Sequence, residues 1–234
     1  MWRHPWPASP VLDDSRLVVA GLTPFTTIDF PGRLAAVVFC QGCPWRCTYC
    51  HNTHLQPART HAPRRWSELC NWLSSRRGLL DGVVFSGGEP LLQRGLARAL
   101  TDVRQLGFAV GLHTAGIYPE RLAAVLPRLD WVGLDIKGPF EDYHQITRAG
   151  GADAARSSLS LVLESGIDHE LRCTVDTDLL DADALSRLAR QLAELGATRL
   201  VLQACRREGQ AASVPTALVN AAAQHLPQVE RRPA

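Results

Sequence analysis

The 234-residue sequence predicts an α/β fold, a partial (β/α)6 barrel. Three observations carry that reading. Short β-rich apolar runs recur along the chain, each is followed by a segment with helical spacing, and every unusual polar or cysteine-rich stretch falls directly after one of the runs. Strand–helix alternation with buried strands implies a parallel sheet. Six units rather than eight leave a barrel incomplete, and an open doubly wound sheet fits the same pattern. In either architecture the chemistry belongs at the C-terminal ends of the strands.

The strand runs are LAAVVF at 34–39, GVVF at 82–85, FAVGL at 108–112, WVGL at 131–134, HELRC at 169–173 and RLVLQ at 199–203. Among the helical segments, PLLQRGLARALTDVRQLG reads as one helix with Pro90 in the first turn. It places Leu92, Leu96, Leu100 and Val103 on one face and stops at Gly107. YPERLAAVLP stops at Pro127, and AARSSLSLVLESG stops at Gly166. DADALSRLARQLAELG starts at a capping Asp181 or Asp183, stripes Leu185, Leu188, Leu192 and Leu195, and ends at Gly196. Residues 1–20 read as an N-terminal extension. Residues 21–234 read as one domain, with its core over about 21–205 and a C-terminal helical segment over about 213–227.

Composition narrows the function classes. Apolar residues make up 46% and charged residues 21%, with a formal charge of +2, so neither nucleic acid nor an acidic lipid surface gains support. The basic runs at RRW and CRREG read as solvated surface. The N-terminus MWRHPWPASP has no apolar core of a signal peptide, and no run reaches the roughly 18 apolar residues of a membrane span. Seven cysteines, an odd number with a tight cluster, argue against a secreted disulfide framework. The expectation is a cytoplasmic protein whose thiols serve metal or redox chemistry.

That cluster is CQGCPWRCTYCHN, directly after the first strand run. Structural zinc would use Cys40, Cys43, Cys47 and Cys50, but zinc modules separate their pairs by a dozen or so residues and only three intervene here. An iron–sulfur cluster held by all four thiols is a second reading. Cys40 weakens it, because it ends an apolar strand as a small core hydrophobe. A third reading uses Cys43, Cys47 and Cys50 alone, spaced C-x3-C-x2-C, and leaves one iron open to a substrate.

The C-x3-C-x2-C spacing with an aromatic before the last cysteine, joined to SGGEP after the second strand, resembles the radical S-adenosylmethionine enzymes. The resemblance covers roughly residues 21–203. GLTPFTTIDFPGRLAAVVFCQGCPWRCTYCHN narrows it: the TxxDFPG lead-in from Thr26 to Gly32 and the CHN tail resemble the activating enzymes of glycyl radical enzymes, particularly those for anaerobic ribonucleotide reductase. The resemblance implies a barrel of the radical S-adenosylmethionine type. It also implies one 4Fe–4S cluster on Cys43, Cys47 and Cys50, whose fourth iron binds the amino and carboxylate groups of S-adenosylmethionine. Reductive cleavage would give a 5′-deoxyadenosyl radical that abstracts a glycine α-hydrogen from a partner enzyme, with an electron donor such as flavodoxin or ferredoxin.

Further site residues follow from the same resemblance. Gly87 and Gly88 would lie along the methionine part of the cofactor, and Glu89 would accept from its ammonium. Thr114, Asp135 and Lys137 would belong to the cofactor site, Arg172 would serve its carboxylate, and Tyr49 and His51 would lie over the adenine or ribose. Read without it, Gly87 and Gly88 form a tight turn, Glu89 is a helix-start residue, Asp135 and Lys137 are an ion pair, Arg172 lines the barrel and His51 is a polar loop residue. The sequence departs from relatives that carry Asp-Thr-Asn-Gly after the third strand, since His113-Thr114-Ala115-Gly116 stands there; a monovalent cation site of that kind is not expected. Only residues 51–85 separate Cys50 from Ser86, and Cys70, on the stripe of Trp66, Leu69 and Leu73, is the one cysteine among them, so a second cluster is not expected either. Cys205 follows the sixth strand at the site mouth. Two alternatives remain open at this stage: radical chemistry on a small molecule or RNA base, and a non-catalytic iron–sulfur electron-transfer module.

Overall fold

The computed structural model describes residues 17–60, 62–206 and 213–233. Its strands are β1 (Val19–Thr26), β2 (Ala35–Cys40), β3 (Gly82–Gly87), β4 (Ala109–Thr114), β5 (Trp131–Asp135), β6 (His169–Val175), β7 (Arg199–Ala204) and β8 (Gln228–Arg232). They form one sheet in that linear order. β1 runs antiparallel to β2, and every later pair is parallel. A doubly wound sheet reverses its strand order part-way; this one does not, which decides for the barrel-type arrangement. The order ends at β1 and β8, so the sheet is open.

The six strand runs are β2 to β7. β1 and β8 are additions to that reading. β1 contains Pro24 and shows register shifts between Val19 and Gly21 and between Thr23 and Thr26. β8 is QVERR, a mostly exposed edge strand. Neither carries the apolar signature of a buried strand. The expected helical segment over about 213–227 is accordingly shorter, α7 (Thr216–Ala223), and gives way to β8. At the other end Leu17 and Val19 are already buried, so the fold begins before residue 21.

The remaining helices are α1 (Trp66–Ser74), α2 (Leu96–Gln105), α3 (Pro119–Val125), α4 (Tyr143–Thr147), α5 (Ala152–Ser165) and α6 (Ala182–Glu194). α6 is capped by Asp181, whose Oδ1 accepts from the Ala184 amide at 2.8 Å. The single helix expected from Pro90 is interrupted. A short 3-10 turn, Pro90–Leu92, is followed by extended backbone at Gln93, and α2 starts at Leu96. The cause is long-range: the Gln93 side chain accepts from the Val18 amide at 3.0 Å and donates to the Gln41 carbonyl, tying β1 to the end of β2. Two bonds across the fold outweigh a continuous helix.

Side-chain alternation divides the core. Ala36, Val38, Cys40, Val83, Phe85, Val110, Leu112, Val132 and Leu134 point outward against the helices. Ala35, Val37, Val84 and Trp131 point inward and close around Phe30, forming an apolar floor at the N-terminal ends of the strands. Among the described residues no helix is long and apolar enough to cross a membrane.

Candidate functional site

The loop after β2 is held by its own main chain. The amides of Gly42 and Cys43 donate to the carbonyls of Leu55 and Gln56 at 2.7 and 3.1 Å, while those of Arg46 and Thr48 donate to Thr147 and Ile146 at 2.9 and 3.2 Å. Trp45, 3% exposed, packs edge-on against Tyr143 with ring centroids 5.8 Å apart. With the backbone thus committed, Cys43, Cys47 and Cys50 are half-buried free thiols facing one cavity of about 300 Å3. Cys40 behaves as strand alternation predicts: it is fully buried in the outer core, and burial pushes its thiol far up.

The glycine loop after β3 fits under the cysteine loop. The Gly88 amide donates to the Cys40 carbonyl at 2.9 Å, and the Glu89 amide to the Gly42 carbonyl at 2.8 Å. Gly87 has φ +120°, and a Cβ there would stand 2.4 Å from the Cys40 carbonyl oxygen; at Gly88 it would stand 2.3 Å from the Gly42 carbonyl oxygen. Both positions therefore require glycine, and both line the cavity.

Glu89 lies beneath the cavity rather than on its wall. Its carboxylate is fully buried and accepts from the Leu91 amide at 2.9 Å, the Thr114 hydroxyl at 2.7 Å and the Ala115 amide at 2.9 Å. It fastens the glycine loop to the end of β4 and caps the 3-10 turn, which is the helix-start role. Burial raises its pKa, against the pull of the three hydrogen bonds. Three of a carboxylate's roughly four acceptor positions are filled.

The opposite wall is charged. Asp135 at the end of β5, Lys137 just after it and Arg172 on β6 line the same cavity, as Thr114 does. Arg172 reaches Asp135 Oδ1 through Nη2 at 3.0 Å and Nε at 3.1 Å, and Lys137 Nζ lies 3.4 Å from Asp135 Oδ2. Burial opposes ionisation of Asp135, but Arg172, Lys137 and His113 together hold its carboxyl down to about 2. Glu170, buried two residues earlier on β6, stands 3.9 Å from Arg172 Nε and is itself held by Arg232 at 2.8 and 2.9 Å, so Asp135 is the carboxylate that Arg172 and Lys137 share at the cavity. Tyr49 and His51 also line the cavity. The Tyr49 hydroxyl is buried without a hydrogen-bond partner.

Some lining residues escaped the sequence reading. Ser86, Thr174 and Gln203 face the cavity from the ends of β3, β6 and β7, and Trp45 and Gln56 from the cysteine loop. Strand alternation carries the signal for Gln203, two residues beyond Val201, whereas Trp45 reads as an ordinary loop aromatic. The other cysteines stand apart. Cys173 and Cys205 are buried and Cys70 packs against the core; none lines the cavity.

Comparison with known proteins matches the description "Radical SAM superfamily" to residues 37–184, from β2 into α6. The chain belongs to the radical S-adenosylmethionine superfamily. Among its relatives, it is 26% identical over 183 residues to a putative glycyl-radical enzyme activating enzyme of Methanocaldococcus jannaschii, covering 75% of each chain. It is 32% identical over 167 residues to the pyruvate formate-lyase-activating enzyme of Clostridium pasteurianum, covering 66% of this chain and 67% of that one. Of solved structures, QueE from Escherichia coli superposes with a TM-score of 0.52 at 19% identity over 93% of this chain and 91% of that one, a likeness of fold.

The family implies a 4Fe–4S cluster and S-adenosylmethionine, and the residues present fit both. Three free thiols sit on one loop at one cavity. Burial pushes the Cys43 thiol up to about 11 and raises that of Cys47. The wall of Lys137, Arg172 and Asp135, which carries both signs of charge, and the unpartnered Tyr49 hydroxyl suit a polar, zwitterionic ligand, and about 300 Å3 is at the lower end of small-molecule cavities.

Proposed function

We propose that this chain is a glycyl radical activating enzyme whose target is anaerobic ribonucleotide reductase. The observation that supports it best is convergence: the C-terminal ends of β2 to β7, or the loops directly after them, all reach one cavity, with three thiols on one side and Asp135, Lys137 and Arg172 on the other. When bound, the reduced cluster supplies one electron that cleaves S-adenosylmethionine to methionine and a 5′-deoxyadenosyl radical able to take a glycine α-hydrogen.

The chain's own residues divide the remaining work. Cys43, Cys47 and Cys50 hold the cluster. Lys137 and Arg172 receive the cofactor carboxylate, with Asp135 neutralising part of their charge and offering an acceptor to the ammonium. Gly87 and Gly88 present bare main chain to the methionine portion. Glu89 keeps that loop and Thr114 in place from below, and Tyr49 and His51 flank the adenosine. A small one-electron protein, flavodoxin or ferredoxin, serves as reductant, and a reducing cytoplasm suits free thiols.

The target is the finer part of the proposal, since the relatives above include pyruvate formate-lyase activases. The TxxDFPG segment favours the reductase. The test mixes reduced protein and S-adenosylmethionine, without oxygen, with either an anaerobic ribonucleotide reductase or a pyruvate formate-lyase. A glycine-centred doublet in the electron paramagnetic resonance spectrum of the reductase alone is the expected result. A doublet only in the lyase would reassign the target, and none in either would overturn the activase reading.

A further inference from the structure

The TxxDFPG segment has no part in the chemistry described so far, because it lies at the opposite end of the strands from the cavity. Thr26 Oγ1 donates to Asp29 Oδ2 at 2.6 Å and accepts from the Ile28 amide at 3.2 Å, closing a tight turn. Phe30, 2% exposed, then enters the barrel floor beside Trp131, ring centroids 5.8 Å apart. A Cβ at Gly82 would meet its ring at 2.9 Å, so the strands leave room for it by omission. Seating Phe30 fixes the neighbouring Asp29 carbonyl.

Above the floor, His113 Nε2 lies 2.8 Å from that carbonyl. Its ring packs edge-on against Trp131 with centroids 5.0 Å apart, in a space that Gly133 leaves open: a Cβ there would stand 3.0 Å from Nδ1. His113 Nδ1 meets Arg172 Nη2. A guanidinium only donates, so Nδ1 is the acceptor and Nε2–H the donor to Asp29. Burial, and after it the charge of Arg172, hold the imidazole down to about 4, so the ring is neutral with a free lone pair. Arg172 is thereby held by His113 and Asp135 through direct hydrogen bonds, with the Glu170 carboxylate 3.9 Å from its Nε as a longer ion pair below.

We propose that His113 is a positioning residue: tied to the barrel floor through Asp29, it holds the Arg172 guanidinium in the orientation that receives the carboxylate of S-adenosylmethionine. This rests on the radical S-adenosylmethionine reading of the cavity. An arginine fork fixed in advance loses less side-chain freedom on binding, and that saving appears as affinity. The floor motif thus acts on the cofactor site through two hydrogen bonds.

The test is S-adenosylmethionine affinity, by equilibrium dialysis on the anaerobic cluster-loaded protein, with cluster absorption and thermal midpoint recorded beside it. His113→Phe keeps ring bulk and loses the acceptor; its affinity is expected to fall roughly ten- to a hundredfold, the range for a hydrogen bond to a charged group, with absorption unchanged. His113→Asn, which places an amide oxygen near Nδ1, is expected to recover most of the loss. In an Arg172→Gln background His113→Phe is expected to add nothing, since the two act as one unit. Equal affinity in His113→Phe and the native protein, or additive losses in the double variant, would overturn the inference and leave the family reading standing. A native cluster-loaded protein that fails to bind the cofactor would overturn both.

Discussion

Gly87 lies against the main chain of Cys40 so closely that a single added carbon would stand 2.4 Å from its carbonyl oxygen. The β2–β3 ladder runs on to that pair, Cys40 opposite Gly87, and the two loops leave it together. The thiol loop and the glycine loop are therefore one backbone-built unit, and the cavity depends on their contact. Gly87→Ala is expected to destabilise the protein by more than about 2 kcal/mol, combining a positive-φ penalty with a backbone clash. Thermal unfolding and iron retention after reconstitution measure it; a native-like midpoint with full iron would contradict the unit.

Ligation separates the four clustered cysteines. Cys43→Ala, Cys47→Ala and Cys50→Ala are each expected to lose the intact cluster, whereas Cys40→Ala keeps about four irons because its thiol faces the outer core. Iron and sulfide analysis after anaerobic reconstitution decides the point. Loss of the cluster in Cys40→Ala would contradict the three-thiol assignment.

Acid sensitivity follows from Asp135. Its folded pKa of about 2 lies below the ordinary 3.8, so its contribution is present above pH 3.8 and is lost as pH falls toward 2. A shift of that size corresponds to about 1–2 kcal/mol once the one-third exposure of its side chain is allowed for. Chemical denaturation across this interval is expected to show a shallower loss in Asp135→Asn than in the native chain. Parallel curves would mean that the Arg172–Asp135–Lys137 contacts contribute nothing to stability.

The floor gives a packing prediction. Phe30 is nearly fully buried in the small inner cluster, and Phe30→Ala is expected to cost about 3–5 kcal/mol, with Phe30→Leu costing less. Urea denaturation provides the measurement. A cost below roughly 1 kcal/mol would show that the floor collapses around the gap.

Much of this architecture was legible because local signals agree with the fold. β2 to β7 are apolar runs, Asp181 caps α6 as its position predicts, and Cys40 turns away from its neighbours by simple alternation. What was not legible depends on distant partners. Gln93 breaks a helix that its own neighbourhood favours, because its side-chain amide accepts from Val18 and donates to Gln41 at once. The polar edge strand β8 is defined by its pairing with β7 alone. Glu89 stands in the right motif, yet its carboxylate turns under the loop toward Thr114 and Ala115. His113 is visible as a departure from relatives, but its partners lie at Asp29 and Arg172, far away in sequence.

The central claim, radical transfer to a partner's glycine, is tested most directly by isotope transfer. A candidate anaerobic ribonucleotide reductase is prepared with glycine deuterated at the α-carbon and mixed, without oxygen, with the reduced protein and S-adenosylmethionine. The expected product is 5′-deoxyadenosine carrying deuterium, by mass spectrometry, in an amount that tracks the glycyl radical formed. Cleavage that yields only unlabelled 5′-deoxyadenosine, with no radical on the partner, would contradict the claim.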